Sequence, residues 1–414
     1  MRMVKKKNCP PGAEGGIFLK ILIISTGTMG DVQPYIGLAQ KLQSEKYDVC
    51  IASAGIHKHL IEENNICFFG LDNSTVNSHI QQVASEKGLT AVKKGIELMF
   101  EAMDNIHMPI MQIINDYDLV IGHGWFGETE AEISKKKFIR VGTSPNLAQK
   151  KALTLNPLAR AQVRIEKTFL NKLIIAPYNE FRKKINAKEI DLEEIYSKPL
   201  LLPIPNILIK SKKGWGKNTY QTPYWYVKND NAKIPSNLQN LIDSSKKKVL
   251  VSFGSMNWGR EDNDRVIKMF YNCAKKLDFN LIWVGEDNFD KSGLDNERFG
   301  FVPQIPYEII FPHVDVVFHH CGLGTTCESL RSGVPVIPVP HIIDQFGWAN
   351  KLNDIGVSTK MIPIGNLDEK IILQRIKEVF FDKNIVNRCS IVKESVQKEI
   401  KEDKTVSIIK SLII

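Results

Sequence analysis

Cysteine is sparse in this chain and unpatterned. Its seven cysteines, Cys9, Cys50, Cys67, Cys273, Cys321, Cys327 and Cys389, are odd in number, scattered, and include no C-x-x-C pair. That excludes a disulfide-stapled fold and a zinc module, and it points to a reducing, cytoplasmic compartment. Long hydrophobic runs are missing too. The best, Ile21 to Ile24 and Val314 to Phe318, are short and flanked by polar residues, far below the ~18 apolar residues of a membrane span. The basic opening Met1 to Lys7 is followed by Pro10, Pro11, Gly12 and Glu14 where a secretory leader needs an apolar stretch, so residues 1–16 read as a disordered leader. Charge of one sign is not in large excess: 55 Lys+Arg against 46 Asp+Glu leaves +9 over 414 residues. No nucleic-acid partner is expected, and weak peripheral contact with the acidic inner face of a membrane is compatible with this balance. With 43% hydrophobic and 24% charged residues, wholesale disorder, coiled coil and collagen are excluded, and the length allows two or three cores.

What is present is organised around two strand–glycine loop–helix units. The apolar run Phe18 to Ser25 leads into Thr26-Gly-Thr-Met-Gly-Asp31, then into Pro34 to Leu42 with Ile36, Ala39 and Leu42 on one side. This predicts a buried parallel strand, a turn, and an amphipathic helix opening near Pro34. Tyr47 to Ala52 and Leu119 to Gly122 read as further strands of that sheet. The second unit runs through the strands Lys248 to Ser255, Asn280 to Gly285 and Val314 to His320, followed by Cys321-Gly-Leu-Gly-Thr-Thr326. Strands alternating with helices define an α/β class with two doubly wound, Rossmann-like domains. The expected division is 17–209 for the first domain, 210–235 for a linker rich in Lys, Gly and Pro, and 236–395 for the second. A terminal helix at 396–414, with Val406, Ile409 and Ile413 on one side, is placed back against the first domain.

The glycine turns carry the chemistry. Gly27-Thr-Met-Gly30 lacks the G-x-G-x-x-G spacing, and Ala52-Ser-Ala54 offers no acidic residue for a ribose, so a dinucleotide site and an NAD-dependent oxidoreductase are disfavoured. Asp31 at the mouth of the turn has two readings, a helix cap or a base that accepts a proton from a bound group. The second loop reads as an anion cradle. Gly322 and Gly324 give pliable backbone, Thr325 and Thr326 give hydroxyls, and one of His319 and His320 gives an imidazole beside a helix start, a set that binds a diphosphate without metal. Asp344-Gln345 follows an apolar strand and suits sugar hydroxyls, or else is a solvated loop. The two D-x-D patterns, Asp116-Tyr-Asp118 and Asp262-Asn-Asp264, introduce a strand and a helix and are discounted as metal sites. His107, His123, Trp125, Phe126 and the stretch Lys150 to Asn186 are candidates for lining a second, acceptor pocket.

Gly27-Thr-Met-Gly-Asp-Val-Gln-Pro34, Pro223-Tyr-Trp-Tyr226, Val251-Ser-Phe-Gly-Ser-Met256, Phe301-Val-Pro-Gln304, the loop His320 to Thr326 and Asp344-Gln345 together resemble the UDP-glycosyltransferase superfamily. The likeness is nearest to its sterol glucosyltransferase-like and bacterial macrolide- or glycopeptide-modifying branches, and it runs from Leu19 to Ile364. It implies a GT-B fold, two facing α/β domains with the acceptor held mainly by the first and a UDP-sugar mainly by the second. By the same resemblance Phe301 would lie against the uracil, Gln304 would hold base and ribose, and Glu328 would bind ribose hydroxyls. Ser255, His320, Gly324 and Thr325 would contact the diphosphate, Asp344 and Gln345 the sugar, and Asp31 would be the general base.

The implied reaction is an inverting, metal-independent hexosyl transfer, by default of glucose from UDP-glucose, to a hydroxyl of a lipophilic acceptor such as a sterol, polyketide or other lipid. No permanently bound cofactor is implied, and the expected state is a monomer or weak dimer. The alternatives are a non-catalytic nucleotide-sugar-binding helper and a sugar-nucleotide epimerase. Met29 stands where the family turn has Arg, Cys321 and Leu323 where near relatives have Gly and Ala, and the signature is one residue longer than in plant members.

Overall fold

The apolar run after Leu19 becomes strand β1 (Lys20–Ile24), buried on both faces. Ile21 and Ile23 pack with Val32, Tyr35 and Ile36, while Leu22 and Ile24 face Ile106 and Ile110. That is why a parallel strand reads as a continuous rather than an alternating apolar run. The computed structural model describes residues 19–71, 88–144, 164–165, 168–210, 215–229, 232–254 and 260–413. The leader, Ser255 and, of the stretch expected to line an acceptor pocket, residues 150–163 and 166–167 lie outside the described residues.

The first unit continues through α1 (Met29–Ser44), β2 (Asp48–Ala54), α2 (Lys58–Glu63), β3 (Cys67–Leu71), α3 (Gly88–Ile113), β4 (Leu119–His123), α4 (Glu128–Ile133), β5 (Lys137–Val141), α5 (Ala176–Lys184), α6 (Leu192–Ser197), β6 (Leu200–Pro203) and β7 (Thr219–Thr222). Its strands form one sheet in the order β3-β2-β1-β4-β5-β6-β7, with every pairing parallel. The order reverses between β1 and β4, the switch point where such sheets open a crevice at their carboxyl ends.

The second unit comprises α7 (Ser236–Asp243), β8 (Lys248–Ser252), α8 (Arg260–Leu277), β9 (Asn280–Val284), β10 (Phe299–Val302), α9 (Tyr307–Ile310), β11 (Val316–His319), α10 (Leu323–Ser332), β12 (Val336–Pro338), α11 (Ile343–Asp354), α12 (Glu369–Phe381) and α13 (Lys383–Lys401). Its sheet, β10-β9-β8-β11-β12, is likewise parallel, with its switch point between β8 and β11. Val249, Val251, Phe270, Phe318 and Ile337 centre its core. A last helix, α14 (Thr405–Ile413), returns to the first unit.

Three elements differ from the sequence expectation. Helix α1 starts at Met29 and contains Pro34, because Thr28 and Asp31 form a capping box that begins the helix a turn earlier. The carbonyl that loses its partner to Pro34 belongs to the exposed Gly30, where water can replace it. The stretch read as a linker is largely structured: β7 is an edge strand, and Trp225 is fully buried with its indole N–H donating to Thr405 Oγ1 at 3.1 Å. The contact boundary falls after Lys228. The terminal stretch 396–414 is two helices rather than one. α13 stays in the second unit, Asp403 restarts the chain by accepting the Thr405 N–H at 2.8 Å, and Ile409 is fully buried in the first core.

Among the described residues, no helix is long and apolar enough to cross a membrane.

Candidate functional site

In the first unit the site residues gather at the β1/β4 switch point. Gly27, at φ 121°, turns the chain out of β1; a Cβ there would stand 2.5 Å from Asp31 Oδ2, so only glycine lets the carboxylate fold back over the turn. Asp31 is half-buried at the third position of α1, and its Oδ2 accepts from the Thr28 N–H at 2.8 Å and the Thr28 hydroxyl at 2.9 Å. It therefore caps the helix and also stands at the carboxyl end of the sheet. His57 Nε2 bonds the Gly27 carbonyl at 2.9 Å and holds the turn from the next strand connection.

His123 ends β4 and stacks on Tyr35, with centroids 5.7 Å apart. Tyr35, one helical turn after Asp31, is fully buried, and among the described residues its hydroxyl has no hydrogen-bond partner. Burial, with the Asp31 charge adding to it, pushes this phenol well above its ordinary range and keeps its proton on. Trp125 takes no part in this edge. It is buried against Tyr178 at 5.2 Å, with the Arg140 guanidinium 5.8 Å over its ring. His107, also expected near a pocket, bonds Glu130 at 2.9 Å.

In the second unit the candidates surround the loop between β11 and α10. Of the two histidines, His319 is structural: it is fully buried, and its Nδ1 accepts the Cys321 N–H at 3.0 Å. His320 is the one half-exposed. Its ring fits between Gly254 and Gly322, where an added Cβ would stand 2.6 Å and 2.5 Å from ring atoms. Burial first, then the neighbouring His341, pushes His320 down to about 3, partly offset by a hydrogen bond to the Ser252 backbone. The ring is thus a neutral imidazole at pH 7.

Gly322 caps α10, leaving the N–H groups of Leu323, Gly324 and Thr325 without an intrahelical acceptor at the positive end of the helix dipole. Thr325 keeps 8% exposure, while Thr326 is entirely buried. Glu328 is clamped by Arg331 at 2.6 Å and 3.0 Å, and Glu308 shares that guanidinium at 3.2 Å. Burial, reinforced by Glu308 against the opposing Arg331, pushes the Glu328 carboxyl up to about 7.

Phe301 is half-buried in edge strand β10, packed edge-on against Phe289 at 5.0 Å with Lys291 Nζ 5.0 Å over its ring; Gln304 is exposed just beyond. Asp344 and Gln345 lie on the first turn of α11 rather than in a loop. Asp344 is exposed, and Gln345 Oε1 accepts the His341 and Ile342 N–H groups at 2.8 Å and 3.1 Å. Among the described residues no cluster of His, Cys, Asp and Glu could hold a metal ion. His57 and Tyr35 are neighbours of the turn that the motifs did not reveal. A spacing of four residues from Asp31 was the one available signal, and only for Tyr35.

Two parallel α/β units, each with a glycine turn at its switch point, define the class: the chain has the GT-B fold of glycosyltransferases. Residues 21–113 match the glycosyltransferase family 28 N-terminal domain. Over 92% of its length the chain is 24% identical to a sterol 3-beta-glucosyltransferase of Cryptococcus neoformans var. neoformans, of which it spans 26%. It is 21% identical to the O-mycaminosyltylonolide 6-deoxyallosyltransferase of Streptomyces fradiae, covering 92% of this chain and 94% of that one. The crystal structure of the glycosyltransferase VinC in complex with dTDP superposes with a TM-score of 0.70 over 95% of this chain and 99% of that chain, at 14% identity.

Proposed function

We propose that this chain is an inverting glycosyltransferase that moves a hexose, glucose by default, from a UDP-sugar to a hydroxyl of a lipophilic small molecule. The observation that carries the reading is the start of α10. N–H groups without an intrahelical acceptor, the positive end of a helix dipole, the neutral His320 ring and the Thr325 hydroxyl are grouped where a leaving diphosphate would gather charge. Phe301 and Gln304 serve the base, Glu328 the ribose, and Asp344 and Gln345 the sugar. Asp31 takes the proton of the attacking hydroxyl, which displaces UDP from the opposite face of the anomeric carbon. The sterol and macrolide transferases among its relatives support a lipophilic acceptor.

The dTDP complex of VinC favours a second donor reading, a dTDP-sugar. Calorimetric titration with UDP-glucose and dTDP-glucose, with magnesium and with EDTA, separates the two. Tighter, metal-independent binding of UDP-glucose is expected. With that donor and a sterol acceptor, the product should carry the anomeric configuration opposite to the donor's, read by NMR. Asp31→Asn should lower kcat by about 100-fold or more while leaving UDP affinity unchanged. Full turnover in that variant would remove Asp31 from the mechanism.

A further inference from the structure

One side of α10 is not packed away. Gly324, Glu328 and Arg331, spaced four and three residues apart, are half-exposed there, and the residues between them are buried. Glu328 stands about 6 Å along the helix axis from Gly324. A nucleotide whose diphosphate sits at the helix start and which runs along this side brings its ribose to Glu328.

How that carboxylate is held decides which oxygen is left for a ligand. Arg331 Nε at 3.0 Å and Nη2 at 2.6 Å both donate to Glu328 Oε2. Among the described residues no hydrogen bond reaches Oε1, and it is not shut off from solvent, since 18% of the side chain is exposed. Glu308, on α9, accepts from the same Nη2 at 3.2 Å, so the guanidinium is fixed between carboxylates of two helices. An ion pair three residues apart on a helix is ordinary and adds little to stability. The third member changes the balance. Two carboxylates against one guanidinium leave a negative charge beside the helix start, where it repels a diphosphate. Donors on the ligand offset that repulsion, and Oε1 has two lone pairs for the two adjacent hydroxyls of a ribose.

Resting on the donor-site reading above, we infer that Arg331 and Glu308 are positioning residues that present Glu328 Oε1 to the ribose hydroxyls, so that the site selects a ribonucleotide over its 2′-deoxy counterpart. A site built around an acceptor rejects a ligand that lacks the matching hydroxyl, because the acceptor is then left desolvated and unpaired. Neither Arg331 nor Glu308 touches base or phosphate in this scheme, so their loss falls on the ribose contact. The same chemistry favours a UDP-sugar over a dTDP-sugar, whose pentose has no 2′ hydroxyl.

The test is calorimetric binding of UDP and dUDP, which differ only in the 2′ hydroxyl, at about pH 8, where Glu328 is ionised. The proteins are the wild type, Glu328→Ala, Arg331→Met, Arg331→Lys and Glu308→Ala. UDP should bind the wild type about tenfold more tightly than dUDP. That ratio should fall to about one in Glu328→Ala and Arg331→Met, and to about three in Arg331→Lys and Glu308→Ala, with UDP losing more affinity than dUDP in each. Arg331→Lys keeps the charge but not the two-pronged grip on Oε2, so it carries the test even where Arg331→Met does not fold. A wild-type ratio of one, an unchanged ratio in Arg331→Lys or Glu308→Ala, or losses of equal factor for UDP and dUDP would each overturn the inference, the last marking a general loosening of the unit. A wild-type chain that binds neither nucleotide would instead overturn the donor-site reading itself.

Discussion

Glu328 holds a carboxyl that titrates at about 7, so its charge changes in the range where the protein works. An ionised carboxylate accepts two ribose hydroxyls, and a protonated one accepts them poorly. UDP affinity should therefore fall between about pH 8 and pH 6, and this part of the fall should be absent in Glu328→Gln. A titration in which both proteins show the same pH dependence would remove Glu328 from the ribose site. The folding linkage has the opposite sense. The folded state holds the proton between 4.5 and about 7, so the stability from this group is complete below 4.5 and is lost as pH rises through 7. At this scale the residue pattern named Asp31 and the His319-His320 pair, and only the family resemblance, not the pattern, preferred base over cap and His320 over His319. Asp31 proves to cap α1 through Thr28, a contact three residues long and legible in principle. The choice of His320 depends on Gly254, far away in the chain, leaving room for its ring.

Helices and strands were legible where burial is continuous. β1, β4 and β9 are runs of apolar residues because both faces of a parallel sheet are covered. β7 was not, since Thr219-Tyr-Gln-Thr222 forms a short edge strand with a half-exposed pattern. Proline and aromatic residues next to it resembled a linker, although Trp225 is core. Helix α14 makes the corresponding prediction. Ile409 is fully buried in the first unit's core, and Val406 and Ile413 pack against that cluster. Ile409→Ala should cost about 3 kcal/mol and lower the denaturant midpoint of the first unit, with the second unit unaffected. An unchanged midpoint would mean that α14 adds nothing to that core.

At the scale of the whole molecule, the second unit holds three neutral imidazoles, His319 fully buried and His320 and His341 half-buried. His319 and His320 are pushed down to about 3 and His341 to about 4 from the ordinary 6.5, in each case mainly by burial. Groups depressed in the folded state give their full stability above 6.5 and lose it as pH falls. Unfolding near pH 5 should take up about three protons from these sites, and the calorimetric transition of the second unit should move down between pH 7 and pH 5. A transition temperature constant over that range would contradict the holding of these rings as uncharged groups in the folded unit. By itself the sequence determined two parallel α/β cores, the glycine turns that end β1 and β11, and the residue types that a nucleotide-sugar site needs. These follow from local pattern, in runs of apolar residues and in turn chemistry a few residues long. Only the tertiary structure decided that Trp125 is core, that Thr326 is hidden, that the chain's last helix completes the first unit, and that the Tyr307 hydroxyl meets Ser252. Each of these rests on packing between distant parts of the chain, such as Trp225 on Thr405 across 180 residues and Ser252 on Tyr307 across 55, and no local pattern encodes which distant side chain will arrive.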